Sequence, residues 1–148
     1  MELYKPKDKT WAQHLADNAE AYAAMVNSLQ ALCHGLADDA GWWKTKNGTD
    51  VRDLDPELFG WWTGTKIALI NSEASEGLEG LRKDLPDDKL PQFPMLGVEL
   101  QDGVIRSWDL AGGLGLDSGK MFVAKLLFNA GRADHKLENR QQAGGKAF

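Results

Sequence analysis

Four carboxylates stand out by type and spacing: Glu73 and Glu76 in Glu-Ala-Ser-Glu, and Glu99 and Asp102 in Glu-Leu-Gln-Asp. Residues three apart on a helix lie on one face, one turn above the other, so each pair presents two carboxylates together. A reversal between the two helices would bring the pairs back antiparallel and face to face. Four converging carboxylates repel one another and are costly to desolvate, so the cluster persists only with bound cations or retained protons. Oxygen donors without His or Cys favour Mg2+ or Mn2+ over zinc. Magnesium keeps waters and bridges to substrate phosphates, which points to phosphoryl chemistry. Glu73, Glu76, Glu99 and Asp102 are therefore the expected metal ligands and catalytic residues.

A single E-x-x-E piece is common on a solvated helix face. Here the acids are embedded among apolar residues, Glu99 and Asp102 between Val98, Leu100, Val104 and Ile105, and two matched pairs follow one another in the chain. Glu79 continues the first series and is read as an outer residue. A third set, Lys125, Asn129 and Arg132, is spaced by 4 and 3, which on a helix is again one face. An ammonium, an amide and a guanidinium in line suit a chain of phosphates. The plainer reading of these cations is a snorkelling pair on a wet surface.

The elements that must position these groups read as helices. From Trp11 the apolar residues Leu15, Tyr22, Val26, Leu29, Cys33 and Leu36 follow the spacing of one long amphipathic helix, ended by Asp38, Asp39 and Gly41. Residues 42–54 read as a loop with an Asn-Gly turn at 47–48. Asp55-Pro56 starts a second helix running to about Lys83, weakened by Gly60, Gly64, Gly77 and Gly80, so that tertiary packing must hold it. The proline-containing stretch 84–94 is a connector, Met95–Leu114 a third helix, and Asp117 the cap of a fourth reaching His135. No stretch alternates with period two over a convincing length, so strands are not expected. The predicted fold is all-α and four-helix bundle-like, with one domain over residues 1–135 and a polar tail over 136–148.

The chain has 148 residues, enough for a real core. Its 22 acids outnumber 17 bases, and no basic cluster stands out, so nucleic acid is not an expected partner. Cys33 is the single cysteine; it falls on the apolar stripe and excludes an intrachain disulfide. The polar start, Met1 to Lys9, lacks a signal-peptide core, and no apolar run is long enough for a bilayer. The expectation is a cytoplasmic protein without a membrane partner.

Taken together, E-x-x-E, a gap of 22 residues, E-x-x-D and a downstream Lys-x-x-x-Asn-x-x-Arg resemble the all-α nucleoside triphosphate pyrophosphohydrolase superfamily, in particular its MazG-like members from phages and bacteria. The resemblance spans about Lys66 to Arg132. It implies an Mg2+-dependent hydrolase, with Mn2+ as substitute, that converts an NTP or dNTP to the monophosphate and pyrophosphate. A metal-activated water attacks the α-phosphorus. Glu73, Glu76, Glu99 and Asp102 ligate the metal, and Lys125, Asn129, Arg132 and also Lys66 hold phosphates. It further implies a homodimer or homotetramer, in the host cytoplasm if phage-encoded. Many relatives carry a second acid at the start of the first motif, where this chain has Ser72.

Trp61, Trp62 and Trp108 are candidates for stacking on the base, against the plainer reading that adjacent tryptophans fill the core or an interface. Alternative substrates are dGTP or GTP, as in phage enzymes that supply dGMP, or dUTP. An alternative of another class is a helical interaction protein without activity. A carboxylate di-iron bundle is excluded, because it needs Glu-x-x-His and no His follows a Glu by three.

Overall fold

A computed structural model describes residue 6 and residues 8–146. Six helices, α1 (Trp11–Asp17), α2 (Ala19–Asp39), α3 (Pro56–Lys83), α4 (Met95–Gly113), α5 (Ser118–Gly131) and α6 (Leu137–Arg140), make the fold all-α. No strand occurs among the described residues, only isolated bridges at Lys44–Asp50 and Pro86–Pro94. None of the helices is long and apolar enough to cross a membrane. Tertiary contacts divide the chain into two compact units, residues 28–116 and the two flanking segments together, with the division falling inside α2.

The unit of residues 28–116 is built around α3 and α4. Asp55 accepts hydrogen bonds from the Glu57 and Leu58 amides, both at 3.1 Å, and Pro56 occupies the first turn, so α3 begins at the expected residue. It ends where Asp84 turns left-handed (φ 52°), with Arg82 and Lys83 placed favourably near the carbonyl end. The connector is a tight reversal: Asp87, buried, accepts from the amides of Lys89 at 3.0 Å and Leu90 at 2.7 Å, while Met95 N donates to Leu85 O. The two helices then run antiparallel. A Cβ at Gly80 would stand 2.7 Å from Met95 Cβ, and one at Gly77 would stand 3.4 Å from Glu99 Cβ. Lys66, a few turns earlier, meets Asp109. Gly77 and Gly80 thus let α4 approach α3; Gly60 and Gly64 face nothing within 4 Å.

The stretch after α2 is more than the expected loop. The Asn-Gly turn forms, with Gly48 at φ 83°, and Val51–Asp53 make a 3-10 turn capped by Asp50. Val51 N donates to Trp43 O at 2.9 Å, and Trp43, Val51 and Leu110 form the buried core, surrounded by Ala37, Leu54, Phe59, Trp62 and Ile70. Any side chain at Gly113 would run into the Trp43 ring.

In the other unit the long first helix expected from Trp11 is interrupted. The apolar spacing continues across Asn18, but its backbone leaves helical geometry (φ −120°, ψ 22°) and its side chain donates to His14 O. The expected fourth helix is α5, which starts as read, with Asp117 accepting from Lys120 N at 3.0 Å and from Asn27 Nδ2 at 2.9 Å. It stops at Gly131 rather than His135, because Arg132 turns extended (ψ 127°) and pairs with Asp134. Ala133–His135 form a 3-10 turn, and α6 lies in the segment read as a polar tail, tied back by Asn139 Nδ2 to Ala133 O and by Lys146 to Asp134. The described residues therefore form six helices where four were expected.

Candidate functional site

The acids of α3 and α4 meet. Glu73 and Glu76 project one turn apart from α3, Glu99 comes from α4, and one carboxylate oxygen from each lies within 4.8 Å of the others. Glu73 and Glu99 are buried and Glu76 is exposed, so the group forms a half-sunken cluster open on one side. Burial pushes the Glu99 carboxyl up to about 7, helped by its hydrogen bond with Glu73 and by the charges of Glu76, Glu73 and Asp102. A proton held on Glu99, hydrogen-bonded to Glu73, relieves part of the cluster's repulsion. Its second relief is a cation: Arg106 Nε stands 2.6 Å from Glu73 Oε1.

Asp102, one turn beyond Glu99, is outside the group of three but close enough to act on Glu99. It belongs to the wall of a cavity of about 870 Å3 beside the acids, together with Arg106, Lys66, Trp42, Trp62 and Trp108. That size is within the range of small-molecule sites. Glu79, read as an outer residue, is engaged by Lys83 and Arg82. Ser72, where many relatives of the resembled family have an acid, lies 3.4 Å from Glu73 through its hydroxyl.

The far wall of the cavity is held by a buried carboxylate. Asp109, 5% exposed, accepts from Trp43 Nε1 at 2.6 Å and from Lys66 Nζ at 2.9 Å, and His34 Nδ1 stands 3.2 Å away. The Lys66 ammonium also lies over the Trp43 and Trp62 rings, at 5.3 and 4.9 Å. Lys66 is thus on the cavity wall, as a phosphate ligand would need, but its charge is committed to Asp109. Cys33 lines the same cavity, and burial pushes its thiol up, in keeping with a packing role.

Of the tryptophans proposed for stacking, Trp62 and Trp108 line the cavity, whereas Trp61 is 71% exposed and is not part of its wall. Trp62 stacks on Phe59 (9° between planes) and packs 4.4 Å from Trp43, which is itself fully buried. Trp42, exposed, adds a further aromatic wall to the same cavity.

Lys125, Asn129 and Arg132 belong to the other unit. Lys125 and Asn129 share a face of α5, but Arg132 lies one residue past its end, so the single helical face expected for all three is lost. They still gather around Phe128, with Lys125 Nζ 5.0 Å and Arg132 Cζ 6.0 Å from its ring. Arg132 donates to Asp134 through Nε at 2.9 Å, and Asn129 Oδ1 is buried without a hydrogen-bond partner.

Arg106 and Asp109 are the residues the motif reading missed. The signal was present: 99, 102, 106 and 109 are spaced by 3, 4 and 3, one face of α4. Comparison with family models, with curated proteins and with solved structures finds no match to this chain.

Proposed function

We propose that the chain is a divalent-cation-dependent nucleoside triphosphate pyrophosphohydrolase of the MazG-like kind. The observation that carries this reading is the convergence of Glu73, Glu76 and Glu99 within 4.8 Å beside a cavity of about 870 Å3. The donor set is all carboxylate, and its burial leaves it short of positive charge, a combination that suits Mg2+ or Mn2+. Glu73, Glu76 and Glu99 would hold the cation, with Asp102 completing the set from the cavity wall. A bound cation would neutralise phosphate charge and make water a better nucleophile. In the reaction, water oxygen bonds to the α-phosphorus and the bond to the α–β bridging oxygen breaks, giving a monophosphate and pyrophosphate.

The cavity supplies the rest of what a nucleotide needs. Trp62 and Trp108 offer flat apolar faces to a base, and Arg106 offers a guanidinium to the phosphates. The resemblance also assigns Lys125, Asn129 and Arg132, in the other unit, to phosphate binding, and the buried, unpartnered Asn129 Oδ1 supports a polar ligand near that residue.

Self-association into a homodimer or homotetramer belongs to the same reading. Leu29, Leu32 and Leu36 on α2 and Val104 and Ile105 on α4 are 40–63% exposed where they line the cavity, apolar side chains that a second copy of the chain would cover. The protein without cation or nucleotide should melt lower than with both. Magnesium plus a nonhydrolysable triphosphate should raise the melting temperature more than either alone. A melting temperature indifferent to both would count against the site.

A further inference from the structure

Arg106 sits between two environments. Its Nε is 2.6 Å from Glu73 Oε1, inside the acidic cluster, yet that buried N–H makes no hydrogen bond of good geometry, so charge rather than alignment holds the pair. The side chain as a whole is 42% exposed, and Arg106 is part of the cavity wall. Among the ion pairs of the described residues, no other cation reaches Glu73, Glu76 or Glu99. Glu73 is 5% exposed in its side chain, so its carboxylate has little solvent to turn to. A divalent cation held by Glu73, Glu76 and Glu99 would bring a second positive charge to the same carboxylate.

We propose that Arg106 exchanges partners: it neutralises Glu73 while the cluster lacks a cation, and it holds a substrate phosphate once a cation has taken that carboxylate. This rests on the reading of the cluster as a cation site. Two cations on one carboxylate repel, so pairing with Arg106 weakens cation binding, and cation binding releases Arg106. The released guanidinium is already on the cavity wall, and its planar fork of donors fits a phosphate bidentately. Because binding linkage is reciprocal, phosphate held by Arg106 in turn strengthens cation binding. Arg106 is thereby both a positioning residue for Glu73 and a substrate-binding residue.

The test measures Mn2+ binding to nucleotide-free protein, by calorimetry or by the loss of the free-ion electron-spin signal, alongside steady-state kinetics. Arg106→Gln should bind Mn2+ more tightly, by roughly two- to tenfold, while KM for the hydrolysed triphosphate rises by about tenfold or more. Arg106→Lys keeps the charge and loses the fork, so its Mn2+ affinity should stay near that of the unaltered protein while KM still rises. Should Arg106→Gln fail to fold, as judged by melting in chelator, Arg106→Lys carries the test, and an unchanged KM in it would overturn the exchange. An Arg106→Gln protein that melts normally but binds Mn2+ equally or more weakly would also overturn it. Absence of Mn2+ binding in the unaltered protein is a separate result that removes the cation site itself, and the exchange with it.

Discussion

Gly77 on α3 faces Glu99 on α4 so closely that a Cβ at position 77 would stand 3.4 Å from that of Glu99. The bare backbone there lets the second helix deliver its carboxylate to the turn that carries Glu73 and Glu76. Alanine would ask for a shift of a few tenths of an ångström and would gain helix propensity of about 1 kcal/mol, leaving stability nearly unchanged. Gly77→Val, larger and β-branched, should push α4 away and weaken Mn2+ binding by about tenfold or more, with helix content retained. Calorimetry and circular dichroism on the same samples check both halves of this expectation.

Asp109 closes the other end of the helix pair. Removing it leaves Lys66, 15% exposed in its side chain, without its counter-charge and the Trp43 indole N–H without its acceptor. Asp109→Ala should lower stability by about 3 kcal/mol or more, read from denaturant unfolding. Lys66→Met, which removes the cation but leaves Asp109 its Trp43 bond, should cost less.

Stability should fall as pH rises through the range set by Glu99. In the unfolded chain this carboxyl ionises near its ordinary 4.5, whereas in the folded protein burial and neighbouring acids hold its proton to about 7. Between those values the folded state binds more protons than the unfolded one, so this residue's contribution diminishes with rising pH and levels off above 7. In chelator, the protein should therefore lose more melting temperature between pH 5 and pH 8 than Glu99→Gln does. Magnesium at pH 8 should reverse that loss in the unaltered protein and do little in the variant.

Much of this arrangement was legible in the residues. Asp55-Pro56 marks the start of α3 because the cap and the proline act locally, and the two acidic motifs show their shared faces through spacing alone. Arg106 and Asp109 share that spacing but went unread, since a lone Arg or Asp on an amphipathic helix looks like a solvated side chain until its burial is known. The stretch 42–54 reads as a loop, because Lys44, Lys46, Asn47 and Asp50 are residues of a surface turn, yet it delivers Trp43 and Val51 to the core. The break at Asn18 and the end of α5 at Gly131 were missed for another reason. Side chain-to-backbone bonds and one ion pair decide them, and they leave the apolar periodicity on either side intact.

Glu76 is the exposed member of the cluster, so replacing it removes a ligand without opening a cavity. Glu76→Ala should abolish turnover while the protein stays folded, and in chelator it should melt at the same temperature or higher because a like charge is gone. Full turnover in this variant would remove Glu76 from the site.

The most direct measurement is a chromatographic analysis of products after incubation with each common NTP and dNTP, dUTP included, in Mg2+ and in Mn2+. Monophosphate and pyrophosphate in equal amounts, from one or a few of these substrates and abolished by chelator, is the predicted result. Diphosphate and inorganic phosphate, or turnover that survives removal of the divalent cation, would contradict the account.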